Sequence, residues 1–503
     1  MPCNPLPVWF LFAALAYLGR RDRRLLARWP LTGLIASSLL LAVYLGWRIR
    51  LHPGPLTERD ALVLHAVLVL AGGFALPALV AWSRAFIRGD LARAALWLRR
   101  EARWVLTCGL LAASAAAVYF LFGTWLAAHG AFQRDTTVYG SDPNRCSRIM
   151  AGTARDFDYT THKHPLFPLI GRALFVAAAP CVGPSWAPLA VSSAAGGLCV
   201  ALAGVYFRAI TGSRLQGALA ALLLGSTSAY VLLAAVPETC TLSAAALILL
   251  HVLLAGRRSA ALRVRHQVLA AAFAGGMTLL NAVPALVCFA GRHPGQRRIR
   301  VVLRWIASAA VVGSLLVAVQ DWLIPLGTPG LARESSASEL SFVSVPARPW
   351  TALAGVGRAL LVEGVVGATP RIAPDMGQPV LHVGRYETKL ALSATGLWLL
   401  LVLAALAVLI RARGDCRPTF WAAGVCLGVA ALLHTFYGRR EIFLYSCTYT
   451  FCLMGVLAHA LPRVNYRAAV AILAVSVGAL AVCNTLYGAQ VLAALDQVRA
   501  ARG

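Results

Sequence analysis

Apolar runs long enough to cross a bilayer recur along almost the whole chain, and no other feature constrains its fold as much. A membrane-crossing helix needs about 20 predominantly apolar residues. Such runs lie near 31–47, 61–82, 104–128, 186–209, 216–236, 239–255, 305–325, 391–411, 419–437, 442–461 and 468–490, with the shorter Pro5–Leu18 as a further candidate. Hydrocarbon offers no water to the backbone, so each run must pair its own N–H and C=O groups, and helices do that. Composition agrees: of 503 residues 59% are hydrophobic and 13% charged, where soluble domains carry about 25% charged residues. The expected fold is all-α, a polytopic transmembrane helical bundle of about 11–13 spans with outer-face loops carrying short helices. Pro5–Leu18 does not read as a cleavable signal, because its Arg cluster follows the apolar stretch.

The net charge of +27 would suit a nucleic-acid binder, but its distribution argues against one. With the Arg20–Arg28 cluster in the cytoplasm and alternating spans, that side collects 27 of the 46 Lys and Arg and only four of the 19 acids: Asp22, Asp90, Glu101 and Asp415. This is the positive-inside bias, a report of orientation. The Arg-rich loops RRSAALRVRH and RHPGQRRIRVVLR also suit anionic lipid headgroups. The expected partners therefore include membrane lipids and no nucleic acid. Val268–Gly291, between those two basic loops, carries Gly275, Gly276, Thr278, Asn281 and Pro284 mid-segment. It reads as a re-entrant pair of half-helices or as an ordinary kinked span.

The same alternation gathers three polar regions on the outer side. The first, 129–165, holds Asp135, Asp142, Asp156, Asp158, His162 and His164. The second, 326–390, holds Glu334, Glu339, Glu363, Asp375, His382, Arg385, Glu387 and Lys389, with short helices expected near 348–363. The third is the turn Tyr437–Tyr445, and Glu238 in VPETCTL falls at an outer span boundary. Ionisable groups at a membrane are costly, so such clusters are functional-site hypotheses. Most of the 12 cysteines lie in apolar runs, where Cys is a small hydrophobe; Cys146 and Cys181 could meet in an oxidising compartment. No zinc-ligand CxxC pair, Walker A motif or helix-opening GxGxxG is present.

Asp142 in YGSDPNR is followed by His164 in HKHPLFPLI. This resembles the first outer loop of the GT-C membrane glycosyltransferases, in particular their protein O-mannosyltransferase and aminoarabinose-transferase branches. There an acidic residue follows an early span, and an HPPL-type or KPPL-type motif leads into an apolar helix. SAYVLLAAVPETCTLSAAALILL and FAGGMTLLNAVPALV resemble later segments of that superfamily, and HTFYGRREIFLYSCTYTF resembles a motif of its uncharacterised bacterial relatives. The likeness covers roughly 104–470 within a catalytic part at 104–490, and leaves 1–103 as additional N-terminal spans. The family often has two adjacent first-loop acids, whereas Asp142 is followed by Pro143, and Pro165–Leu166 replaces a Pro-Pro pair. Asp156 and Asp158 are the alternative counterparts of the family acid.

The resemblance implies sugar transfer from a polyprenyl-phosphate donor to a glycan, lipid or protein acceptor at the outer face of a bacterial inner membrane. A carboxylate would take the acceptor proton, with Asp142 first and Asp156 or Asp158 second. Cations would meet the leaving phosphate: Arg385, Arg439 and Arg440, with His162, His164, Glu238, Glu441 and Tyr445 as further substrate contacts. No cofactor is required, and a divalent metal is left open. The different-class alternatives are a transporter or flippase of lipid-linked or small solutes, and a non-catalytic envelope scaffold.

Overall fold

In the computed structural model the described residues are 101–135, 137–153, 164, 166–255, 260–278, single positions between 281 and 306, 346, 348–375, 378–411, 418–437 and 439–501. The chain divides into one unit of Met1–Ala102 with Ser314–Val319 and a second of Arg103–Gly313 with Gln320–Gly503. The second contains nearly all the described residues. The expected spans at 5–18, 31–47 and 61–82, that at 305–325 apart from Ile306, and Asp156, Asp158 and His162, lie outside the described residues.

The second unit is an all-α bundle, and six of its described helices are long and apolar enough to cross a membrane. In order, its helices are α1 Ala102–Ala128, α2 Pro143–Ala151, α3 Phe167–Val182, α4 Ala187–Thr211, α5 Arg214–Gly225, α6 Ser228–Leu233, α7 Cys240–Ala255 and α8 Ala260–Met277. After α9, Pro349–Arg358, come a π-helical turn at Ala359–Glu363 and the antiparallel hairpin β1 Pro370–Asp375 and β2 Gln378–Val383. Then follow α10 Lys389–Arg411, α11 Pro418–Phe436, a 3-10 turn at Arg439–Tyr445, α12 Ser446–Ala458 and α13 Tyr466–Ala500.

Burial sorts these helices. Every residue of α12 is buried, and α4, α5 and α7 pack around it. By contrast, α1 leaves Leu106, Leu110, Val118, Leu121 and Trp125 exposed. A soluble protein would bury such a face, whereas lipid is its natural neighbour. Gly123 near the end of α1 touches Leu189 at the start of α4, and Arg208 near the end of α4 lies over Trp104 at the start of α1, 5.4 Å from the ring centroid. The two helices are therefore antiparallel, and α3 begins and ends at the end of the bundle where α1 finishes. Its 16 residues reach about 24 Å, short of the roughly 30 Å hydrocarbon core. Leu174, Val176 and Val182 are exposed on it, as suits a helix lying along a membrane face.

Three expectations change, and one open question, the state of Cys146 and Cys181, is answered. The run 216–236 is not one helix: α5 stops at Gly225 and α6 is six residues long. After the interruption at Ser226–Thr227, the second polar loop takes the first backbone donors of α6, with Ser228 N–H donating to Val365 O at 3.1 Å and Ala229 N–H to Gly364 O at 3.1 Å. The last helix runs 35 residues to Ala500, ten beyond the expected end at 490. The segment expected to break within 268–291 breaks at Thr278, but its first limb starts at Ala260. That limb ends against the first loop, where Leu166 N–H donates to Gly276 O at 2.8 Å. Cys146 and Cys181 are both free thiols, one buried and the other exposed.

Asn484 of α13 ties these pieces together. Its side-chain amide donates to Ser226 O at 2.7 Å and Val365 O at 2.9 Å, and its oxygen accepts from Gly367 N–H at 2.9 Å. Gly367 lies so close to the Tyr487 ring that any added Cβ would collide with it.

Candidate functional site

The first loop and the hairpin of the second are joined by main-chain hydrogen bonds. Tyr139 N–H donates to Leu381 O at 3.2 Å and Leu381 N–H to Thr137 O at 3.0 Å, forming a parallel bridge of Val138 with Leu381. The two loops therefore sit at the same end of the bundle. Tyr139 has φ +53°, a left-handed conformation that costs a non-glycine residue about 1–3 kcal/mol. It persists because the bridge on one side and Gly140, φ +78°, on the other fix the turn.

That turn delivers the chain to α2. Asp142 occupies the N-cap position before Pro143, yet its carboxylate caps nothing. Asp135 does the capping instead, accepting from Asn144 N–H at 2.9 Å and Arg145 N–H at 3.0 Å, where the helix dipole favours negative charge. Asp142 pairs with Arg145 one turn on. The Asp142 N–H donates to Glu238 Oε2 at 2.7 Å. Glu238 Oε1 accepts from Thr239 N–H at 2.8 Å, Thr239 Oγ1 at 3.1 Å and Cys146 Sγ at 3.3 Å. Burial, with the adjacent Glu238 charge, pushes the Cys146 thiol up, so it stays a protonated donor.

A cavity of about 300 Å³ draws its walls from all three polar regions. Tyr139 comes from the first; Thr351, Arg358, Glu363 and His382 from the second; Ile442 and Phe443 from the third. Tyr139 and Phe443 stack obliquely with centroids 5.0 Å apart. Glu363 is 4% exposed and closes the π-turn. Its Oε1 lies 2.7 Å from Arg358 Nε, on a side chain that is 62% exposed. Residues five apart lie about 140° apart around an α-helix, so the wider π-turn is what brings this pair onto one face. Burial pushes the Glu363 carboxyl above the usual carboxylate range, and Arg358 opposes the rise. The Tyr386 phenol is also raised, by burial first and then by the Glu363 charge.

The other expected residues are spread around this end. His164 Nδ1 donates to Met277 O at 2.7 Å and lies 3.3 Å from Thr278 Oγ1, which bonds Ser243 Oγ at 2.8 Å on α7. Its contact satisfies a C-terminal carbonyl of α8. Arg385 is exposed, and its carbonyl accepts from Thr369 N–H at 3.0 Å. Tyr445 stacks on His434 at 4.8 Å, and the His434 Nε2 lies 3.0 Å from Tyr449 Oη. The backbone of Arg439, Arg440 and Glu441 forms the 3-10 turn that carries Ile442 and Phe443. Asp142 and Glu238 thus meet through the backbone, while Glu363, Arg358 and Tyr139, absent from the expected site, line the cavity. The signal that could have singled out Glu363 is a lone acid in the apolar stretch ALLVEGVVG. Among the described residues no three His, Cys, Asp or Glu side chains gather as a metal site.

The fold defines the chain's class, an α-helical polytopic membrane protein with its first and second polar loops joined at one end. No protein-family model matches the chain, and no curated protein matches it.

Proposed function

We propose that this chain is a membrane glycosyltransferase of the GT-C type. It transfers a sugar from a polyprenyl-phosphate donor to an acceptor on the outer face of a bacterial inner membrane. The observation that carries this reading is the shared cavity: three polar segments far apart in sequence wall one space of about 300 Å³. That volume is at the lower end for small-ligand pockets and suits a sugar head group. Beside it α9 and the π-turn expose Trp350, Leu353 and Leu361, an apolar rim suited to a polyprenyl tail. A tryptophan there also fits the aromatic belt of a membrane interface. Arg358 lines the cavity, and Arg385 follows cavity-lining Val383 while Arg439 and Arg440 precede cavity-lining Ile442 in the chain; guanidinium groups of this kind pair bidentately with phosphate. Glycosyl transfer needs a carboxylate to take the acceptor proton, and this end of the bundle is rich in them.

The test is a transfer assay with membranes containing or lacking the chain, using undecaprenyl-phosphate-linked radiolabelled sugars and a cell-envelope extract as acceptor. Chain-dependent movement of label from the lipid to a polar product is expected. Label that crosses the membrane without cleavage would favour the transporter instead.

A further inference from the structure

We propose that Glu363 is the acid–base residue of the cavity and that the acceptor hydroxyl is bound against it. This rests on the glycosyltransferase reading and names the group that does its proton chemistry. In the proposed step the Glu363 carboxylate removes the proton from the acceptor hydroxyl. The acceptor oxygen bonds to the anomeric carbon as the bond from that carbon to phosphate oxygen breaks. The electron pair leaves on the polyprenyl phosphate, and the proton then passes from Glu363 to that phosphate or to water.

Four observations converge on this residue. First, Glu363 lines the cavity, whereas Asp142 and Glu238 do not. Second, it is buried while its cationic partner is largely exposed, so ligand binding against Arg358 alters the environment of the carboxylate directly. Third, its place is built: Ser228 Oγ donates to Glu363 O at 2.5 Å, Trp398 Nε1 donates to Leu361 O at 2.6 Å, and Asn484 holds Val365 and Gly367. A π-turn gives up regular α-helical hydrogen bonding and recurs at functional sites; this one is pinned from three helices. Fourth, the groups around it suit proton transfer. Arg358 on its own segment, Tyr139 from the first loop, Tyr386 after the hairpin and Tyr487 on α13 all interact electrostatically with it or with one another, and His382 of β2 lines the same cavity. Burial holds Tyr139 and Tyr386 protonated, so near neutral pH they are donors that leave Glu363 to accept.

The experiment uses the full chain in lipid nanodiscs with the same undecaprenyl-phosphate-linked sugars and envelope acceptor. Glu363→Gln is expected to lower kcat at least about 100-fold, the lower range for general acid–base catalysis, with donor KM little changed. Glu363→Asp should recover part of the rate. Arg358→Gln should move the acidic limb of the kcat/KM profile to higher pH, because the charge that favours the ionised carboxylate is gone. Dicyclohexylcarbodiimide, which adds to protonated carboxyls, provides a second readout on the wild-type protein by peptide mapping. Glu363 should be labelled, increasingly as pH falls, and undecaprenyl phosphate should protect it. Wild-type turnover with Glu363→Gln equally active, or an active wild type that forms no carbodiimide adduct at Glu363, overturns this assignment and leaves the enzyme reading standing. A wild type that cleaves no donor overturns the enzyme reading and the assignment with it.

Discussion

Two carboxylates, Glu238 and Glu363, are each 4% exposed, and their surroundings could hardly differ more. Glu238 meets four donors from three residues, with both of its oxygens engaged. Glu363 has an exposed arginine at 2.7 Å and a cavity at its side. Equal burial therefore does not mean equal role. A carboxylate saturated by backbone and side-chain donors fixes structure, and here Glu238 pins the first loop to the junction of α6 and α7. A carboxylate left beside open space keeps the capacity to exchange a proton.

The largest effect that could break this contrast is on stability at Glu238. Glu238→Ala strands several buried donors, each costing about 1–3 kcal/mol, so a loss of about 3–5 kcal/mol is expected. Thermal unfolding in nanodiscs measures it, and a loss below about 1 kcal/mol would remove the pinning role. The loss of transfer in Glu363→Gln comes next, at about 100-fold or roughly 2.7 kcal/mol. Its melting temperature should fall far less than that of the Glu238 variant.

Capping is a smaller lever. Asp135→Ala removes the acceptor for two N–H groups at the start of α2 and should cost about 1–2 kcal/mol. Asp142→Ala, whose carboxylate caps nothing, should cost less; the reverse order would mean that the cap is misassigned.

Stability against pH probes Glu363 further. The folded protein holds the Glu363 proton more tightly than the unfolded chain does. That contribution is fully present below the ordinary carboxylate value and is lost as pH rises through the raised folded value. Glu363→Gln carries no such loss, so its melting temperature should gain on the wild type as pH rises through that window. A pH-independent difference would place Glu363 in an ordinary, solvated setting. The smallest effect is expected at His129, whose Nδ1 lies 3.0 Å from Asp496 with both side chains partly exposed. His129→Ala should change stability by less than about 1 kcal/mol, measured in the same unfolding assay.

Much of the fold was legible in the sequence, and the site much less so. Runs such as 104–128 and 391–411 became α1 and α10 almost residue for residue, because a bilayer-length apolar run has one way to satisfy its backbone. The short helix expected near 348–363 is α9 with its π-turn. The run 216–236 misled because its apolar composition says nothing about the break after Gly225, where the N–H groups of Ser228 and Ala229 donate to Val365 and Gly364, more than 130 positions away. Glu363 stood out only as one of several acids of the second polar region, and its pairing with Arg358 was not legible because helical ion pairs are sought three or four residues apart, and these are five apart.

By itself the sequence determined the class: a greasy, asymmetrically basic chain with repeated apolar runs must be a polytopic helical bundle, since hydrocarbon leaves the backbone no other partner. It also grouped 129–165, 326–390 and 437–445 on one side through the distribution of charge. Tertiary structure alone decided which acids are spent on structure and which border a cavity. That distinction depends on where donors from distant segments arrive, and no local pattern encodes it: the Asp142 N–H reaches Glu238 across 96 positions, and Tyr139, Glu363 and Phe443 meet only when three loops close on one another.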